Sequence, residues 1–159
     1  MRFLAPISVV LLVILDQLTK IGIVEYFSDP SKGNIILWPG VLELTYVENR
    51  GAAFGMMQGK VGLFVIITAV VLIMILWYWR HIPQGKIGIW MKIALVLVMS
   101  GAIGNFIDRV FLNYVRDMIY FSFIDFPVFN VADICVVVGV ALLFPILLFG
   151  NIDEKEKNE

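Results

Sequence analysis

The stretch SGAIGNFIDR, residues 100–109, brings three polar side chains to the end of an apolar run. These are Asn105, Asp108 and Arg109. Two more polar segments follow, VRD at 115–117 and FNVAD at 129–133. A charge at the centre of a membrane-spanning helix costs roughly 2.5–3.5 kcal/mol, so such groups usually serve a function or form a structural pair. We therefore expect the chemistry of this chain in these three segments.

The composition indicates a membrane protein. Of 159 residues, 60% are hydrophobic and 16% are charged, whereas a soluble domain has about 45–50% and about 25%. Crossing a bilayer takes about 20 helical residues, and four runs approach that length, at 3–24, 61–79, 87–107 and 131–149. We predict an integral membrane, all-α bundle of four transmembrane helices, forming one membrane-embedded domain over residues 1–159. The net charge of −1 offers no basic surface for nucleic acid.

An even number of spans places both termini on one side of the membrane and segments 25–60 and 113–130 on the other. Basic residues are slightly more numerous on the terminal side, which favours cytoplasmic termini. Residues 35–38 and 41–47 have strand patterns, so a small extracytoplasmic β element is predicted. The aromatic segment 113–129 has a composition suited to the level of the lipid headgroups.

The first span contains Asp16 and Lys20, which are four residues apart on one helix face. Two interpretations stay open: a structural ion pair that holds this helix to the bundle, or a brace for an active site. After the β element, NRGAAFG at 49–55 predicts either a tight turn before the second helix or a backbone cradle for an extended peptide, with Asn49 and Arg50 as hydrogen-bonding groups.

The polar ends of the third and fourth helices also admit structural interpretations. Asp108 and Arg109 simply terminate the third helix, or Arg109 pairs with a phosphate or a substrate carbonyl. Asn130 and Asp133 have the spacing of a near relative of the capping box. Asp117 is an interfacial acid that pairs with Arg116 or Arg109, or a group that meets Asp133.

Two carboxylates that share a site tend to hold one proton between them, which provides a general base and a general acid around one water. Asp117 and Asp133 emerge on the same side from neighbouring segments, so they suit this chemistry. Other hydrolytic sites lack components, because the single histidine, His81, lies at the opposite face and Cys135 has no histidine on its helix. That histidine also leaves no zinc site, and no metal or other cofactor is predicted.

Five segments, taken in order, resemble the motif series of bacterial lipoprotein signal peptidase, also called signal peptidase II. They are DQLTK at 16–20, NRGAAFG at 49–55, GNFIDR at 104–109, VRD at 115–117 and FNVAD at 129–133. The resemblance implies an aspartic intramembrane endopeptidase of the bacterial cytoplasmic membrane. Such an enzyme removes the signal peptide from diacylglyceryl-modified prolipoproteins by cleaving before the lipidated cysteine. It also implies cytoplasmic termini, contact with membrane lipid and inhibition by globomycin, a cyclic lipopeptide.

Carried over position by position, the resemblance implies that Asp117 and Asp133 are the catalytic pair. It further implies groups that orient the substrate or this pair: Asn49, Asn105, Arg109 and Asn130. The supporting positions are Asp16, Lys20, Asp108, Gly51 and Gly104. An apolar wall of Phe106, Phe121 and Phe129 is expected to accept a lipid-modified substrate that arrives from the bilayer.

Two other classes of protein are compatible with acids in membrane spans. A small proton- or cation-coupled transporter also needs such acids. Its sites usually lie near the midplane, whereas Asp108, Asp117 and Asp133 cluster at one end of the spans. A non-catalytic assembly subunit needs them only as caps and ion pairs. Proton flux in proteoliposomes that is lost in Asp133→Asn would identify a transporter. The absence of turnover with any substrate would identify an assembly subunit.

Overall fold

The computed structural model describes residues 4–51, 57–124 and 126–149. The helices and strands in these ranges are α1 (Leu4–Phe27), β1 (Ile35–Trp38), β2 (Leu42–Asn49), α2 (Val61–Tyr78), α3 (Gly85–Leu112), β3 (Val115–Phe121) and α4 (Val131–Phe149). A short 3₁₀ turn, Trp79–His81, continues α2. All four helices are long and apolar enough to cross a membrane, which confirms the predicted fold class.

The third helix is the centre of the bundle. Half of the apolar window of α3 is buried, against 6% for α2, and α3 packs on each of the other three helices. Glycine makes the closest approach possible, because a Cβ on Gly101 would overlap the backbone of Ala132 in α4. In lipid, where apolar side chains gain little by leaving the solvent, small residues of this kind govern helix association.

Three antiparallel strands form a sheet in the order β1-β2-β3. Because β1 and β2 connect α1 to α2 and β3 connects α3 to α4, the sheet lies at one end of the bundle. Val47 of β2 pairs with Asp117 of β3, and Asn49 pairs with Val115. Phe129 then bonds back to Ile119 of β3, which brings the start of α4 beside the strand that carries Asp117.

One segment has structure that the sequence did not predict, and one sequence expectation is corrected. The first half of the aromatic segment 113–129 is the strand β3, because β2 supplies hydrogen-bonding partners from a distant part of the chain. Asp108 and Arg109 do not terminate the third helix. Helix α3 runs to Leu112 and ends at Asn113, whose φ of 63° is left-handed, since the charge of Asp108 is neutralised inside the protein.

Candidate active site

Asp117 and Asp133 reach the same cavity from β3 and from the first turn of α4. All four of their carboxylate oxygens accept an N–H donor. For Asp117, Oδ1 accepts from Asn130 Nδ2 at 2.7 Å and Oδ2 from Asn49 Nδ2 at 3.0 Å. For Asp133, Oδ1 accepts from Asn105 Nδ2 at 2.8 Å and Oδ2 from the backbone N–H of Asn130 at 3.1 Å. Both side chains are therefore held by neutral donors.

Asn130 is both a helix cap and a contact of Asp117. Its Oδ1 accepts the backbone N–H of Asp133 at 2.9 Å, while the Asp133 carboxylate accepts the backbone N–H of Asn130. This reciprocal pair is a capping box with an aspartate at its third position, which confirms the sequence interpretation. The same amide donates through Nδ2 to Asp117, so the start of α4 and the Asp117 carboxylate are fixed by one side chain.

Asn105 connects this pair to a buried ammonium. Its Oδ1 accepts from Lys20 Nζ at 3.0 Å, and its Nδ2 donates to Asp133. Lys20 Nζ also contacts Asp16 Oδ2 at 2.9 Å and Asp108 Oδ2 at 3.3 Å. A lysine ammonium has three protons, and three acceptors surround this one. Lys20 is fully buried. The ion pair of the first interpretation is present, and Lys20 also contacts Asn105, whereas its role as a brace for an active site stays a prediction.

The second cation of this cluster is Arg116. It donates to Asp108 through Nη2 at 2.7 Å, through Nε at 3.2 Å and through its backbone N–H at 3.0 Å. Its Nη2 also donates to Gln17 Oε1 at 2.8 Å. Asp108 is fully buried, and its carboxylate links α1, α3 and β3. The sequence interpretation in which Arg116 pairs with Asp117 is therefore wrong, because the neighbouring residue of a strand faces the opposite way.

The cavity has a volume of about 760 Å³ and an apolar lining drawn mainly from α2, α3 and α4. Its walls include Ile67, Val71, Val98 and Val137. Phe129 also lines it, whereas Phe106 and Phe121, expected in this wall, do not. Phe121 instead packs against the ring of Phe129, with centroids 5.4 Å apart.

Arg109 also lines the cavity. Its guanidinium lies 5.3 Å from the ring centroid of Phe64 and donates to the backbone oxygen of Asn105 at 3.4 Å. Within the part of the chain that the structure describes, it has no carboxylate within ion-pair distance.

Asn49 closes the site from β2. Its Oδ1 accepts the backbone N–H of Gly51 at 3.0 Å, which fixes the amide so that Nδ2 points to Asp117. Gly51 is buried. The rest of the predicted cradle, 52–55, lies outside the described residues.

Burial raises the pKa of Asp117 to about 7, and the charge of Asp133 adds to the effect. Donation from Asn49 and Asn130 opposes the shift, because an N–H donor favours the ionised carboxylate. Asp117 is thus poised to exchange a proton near neutral pH.

Over the described ranges, no three His, Cys, Asp or Glu side chains are grouped as metal ligands.

Comparison with known proteins shows the family of the chain. Residues 8–149 match a family model described as Signal peptidase (SPase) II. The chain belongs to the signal peptidase II family. A lipoprotein signal peptidase of Streptococcus pyogenes serotype M5 (strain Manfredo) is 46% identical over 137 residues, which are 86% of this chain and 88% of the relative. The corresponding protein of serotype M3 (strain ATCC BAA-595 / MGAS315) is 45% identical over the same length.

Solved structures support the same assignment. A bacterial membrane enzyme determined by the in meso method at 2.3 Å has a TM-score of 0.81 and 35% identity, and the match covers 99% of this chain and 96% of that one. A second, at 1.9 Å, has a TM-score of 0.77 at 35% identity, covering 93% and 96%. This signal peptidase II is accordingly a multi-pass membrane protease of the aspartic type that acts on prolipoproteins. The transporter and assembly-subunit interpretations are set aside.

One residue of this polar cluster was missed by the sequence reasoning. Gln17 was not singled out, although it bonds to Asp108 and Gly104 of α3 and accepts from Arg116. Its spacing of three from Lys20 places it on the same helix face, which is the signal that would have identified it. Gly104 has a spatial role, because a Cβ there would collide with the Asp16 carboxylate.

We expect Lys20→Met to lower the free energy of unfolding of this signal peptidase II by about 3–5 kcal/mol, because it leaves two buried carboxylates short of a partner. Arg50→Met is the matched control. Its pair with Glu48 is exposed, and such pairs contribute about 0–1 kcal/mol. Denaturant unfolding in detergent micelles measures both. Equal effects of the two substitutions would contradict the assigned role of Lys20.

Proposed function

We propose that Asp117 and Asp133 activate the water that cleaves a prolipoprotein immediately before its diacylglyceryl-modified cysteine. One observation carries the proposal: two carboxylates from different elements converge on one apolar cavity, with all four oxygens held by N–H donors. These donors orient the carboxylates and leave open which of them holds the proton. That is the requirement for a pair that alternates between base and acid.

The reaction follows from one shared proton. The ionised carboxylate takes a proton from water as the oxygen attacks the scissile carbonyl, and the protonated carboxylic acid donates to the carbonyl oxygen. The tetrahedral intermediate then collapses as the nitrogen of the leaving amine is protonated. No covalent link to the enzyme is formed, and the pair returns to its starting protonation.

The remaining site residues orient these groups. Asn105 and Asn130 hold the two carboxylates, and Asn49 fixes Asp117 from β2. Arg109, which faces the cavity without a carboxylate partner in the described residues, binds a carbonyl or ester oxygen of the substrate. The supporting positions, which stabilise the geometry without touching substrate, are Asp16, Lys20, Asp108, Gly51 and Gly104.

The shape of the cavity suits a substrate with lipid chains. Its apolar lining from three helices accepts the diacylglyceryl group and the apolar part of the signal peptide. Globomycin, a cyclic lipopeptide, carries an acyl chain and peptide groups that suit the same cavity. We expect it to compete with the substrate for the space beside Asp117 and Asp133.

The enzyme lies in the bacterial cytoplasmic membrane, with both termini in the cytoplasm and the active site near the extracytoplasmic face. The charge bias of the short loops supports this orientation. The sheet and the catalytic pair are at the same end of the bundle. The orientation of the chain therefore determines on which side of the membrane both of them lie.

We expect Asp117→Asn and Asp133→Asn each to reduce cleavage by about 10²–10⁴-fold, because general acid–base catalysis contributes that much. The assay is a gel shift with a synthetic diacylglyceryl-modified prolipoprotein, with globomycin added to a parallel wild-type reaction. Asp29→Asn is the control, since Asp29 is exposed and its carboxylate accepts hydrogen bonds from Ser31 in the same turn. Normal cleavage by a folded Asn variant, or wild-type cleavage unaffected by globomycin, would contradict the corresponding part of the proposal.

One limb of the pH–rate profile should lie close to pH 7, because burial raises the pKa of Asp117 to about 7. Asn49→Ala removes a donor that favours the ionised form, so the pKa of Asp117 and this limb should move to higher pH. Asn34→Ala removes an exposed amide that contacts Glu43, and it should leave the profile in place. A limb near pH 4, or a downward shift in Asn49→Ala, would refute this assignment.

Accessibility to a membrane-impermeant maleimide measures the orientation. In a Cys135→Ala background, Ser31→Cys in the turn after α1 should react in intact spheroplasts. Gln84→Cys, in the turn between α2 and α3, should react only after permeabilisation. Both positions are exposed, so access to the reagent differs only by the side of the membrane. The opposite labelling pattern would reverse the proposed orientation.

A further inference from the structure

Arg116 occupies a particular place in the chain, directly before Asp117 on β3. Neighbouring residues of a strand face opposite ways. Asp117 faces the cavity, and Arg116 faces the buried ion cluster between α1 and α3. Whatever fixes Arg116 thereby fixes the backbone from which Asp117 projects.

Arg116 is held more completely than an ion pair alone requires. Asp108 accepts its side chain at two nitrogens and its backbone N–H as well, all within 3.2 Å. Gln17 of α1 accepts a further bond from the guanidinium at 2.8 Å. Two helices thus clamp the strand at the residue beside Asp117. A bidentate contact of this kind fixes direction as well as distance.

The cluster is also balanced in charge. It contains two acids, Asp16 and Asp108, and two cations, Lys20 and Arg116, all joined by ion pairs. Two of the three ammonium protons of Lys20 are directed to these acids, and the third is donated to Asn105. Asn105 in turn donates to Asp133. The balance of the cluster therefore determines whether Lys20 can hold the amide that orients the second aspartate.

We propose that Arg116 is a positioning residue for catalysis, which clamps the backbone beside Asp117 and, by neutralising Asp108, leaves Lys20 free to orient Asn105 and through it Asp133. This inference rests on the proposed roles of Asp117 and Asp133. It assigns Arg116 no contact with the substrate, since its side chain is directed away from the cavity.

Removing the guanidinium has two consequences. The β3 backbone keeps one bond to Asp108 and loses the side-chain clamp, so Asp117 is placed less accurately. The cluster also gains one uncompensated negative charge, which draws Lys20 from Asn105 and raises the pKa of Asp117. The other charged groups around Asp117 stay unchanged: Asp133 from α4, Arg109 from α3 and Glu48 from β2.

The test compares Arg116→Met with wild type in steady-state cleavage of the diacylglyceryl-modified prolipoprotein. We expect kcat to fall by about 10- to 100-fold, as a misplacement of about 1 Å in a catalytic site produces, with KM within about twofold. We also expect the pH optimum to move to higher pH. Arg116→Lys should keep the wild-type pH optimum, because the charge remains, and show a lower kcat, because lysine cannot make the two-point contact.

A double variant tests the charge balance. Asp108→Asn combined with Arg116→Met removes one charge of each sign, so its pH optimum should return to that of wild type. Lys32→Met is the control for loss of a cation, because Lys32 is exposed and contacts the ring of Tyr26. Its kcat and pH optimum should equal those of wild type.

Folding is measured in the same samples by thermal unfolding and size-exclusion chromatography. A folded Arg116→Met enzyme with wild-type kcat and pH optimum overturns the inference, as does one with a lower Tm alone. If Arg116→Met does not fold, the Arg116→Lys variant is the test. A wild-type kcat in Arg116→Lys would overturn the proposed clamp of Arg116 on the β3 backbone. Asp117→Asn separates the two proposals: if it stays active, the proposed function has failed, and if it is inactive while Arg116→Met is normal, only this inference has.

Discussion

The coordination of the Lys20 ammonium is the constraint on which the rest of the structure depends. A fully buried charge is stable only when paired and hydrogen-bonded, and its three protons go to Asp16, Asp108 and Asn105. The first of these acceptors also takes the backbone N–H of Ala132 at the start of α4. One cation therefore fixes α1, α3 and α4 relative to each other, at the end of the bundle where the two aspartates meet.

The aspartates themselves are held by amides and not by cations, and this difference is chemically important. A direct ion pair with Lys20 would keep a carboxylate ionised at all working pH values, and a shared proton would be impossible. The amides of Asn105 and Asn130 orient the carboxylates with a smaller effect on their ionisation. This is consistent with the pKa of Asp117 lying near 7. The ion cluster thus holds the helices in place, and the amides of Asn105 and Asn130 orient the two carboxylates without fixing their charge.

The sequence predicted those features that depend on local pattern. Four apolar runs gave four helices, and the spacing of Asn130 and Asp133 gave the capping box. The strand β3 could not be predicted, because its partner β2 lies about 70 residues away and its own apolar residues also suit the membrane interface. The extension of α3 past Asp108 could not be predicted either, because the charge of Asp108 is neutralised by residues of α1 and β3, which are distant in sequence. Gln17, in contrast, could have been identified from its spacing to Lys20, although its partners in α3 and β3 could not.

A membrane bundle needs such polar contacts for its fold as well as its chemistry. Apolar faces such as those of α2 can pack against lipid as readily as against another helix, so hydrophobicity alone does not select one arrangement. Small residues such as Gly101 permit close contact between α3 and α4, but they leave the rotation of each helix weakly specified. The bonds from Lys20 and Arg116 specify it, because buried charges have few acceptable partners. We therefore expect a substitution that disturbs the ion cluster to alter both the packing of the helices and the geometry of the two aspartates.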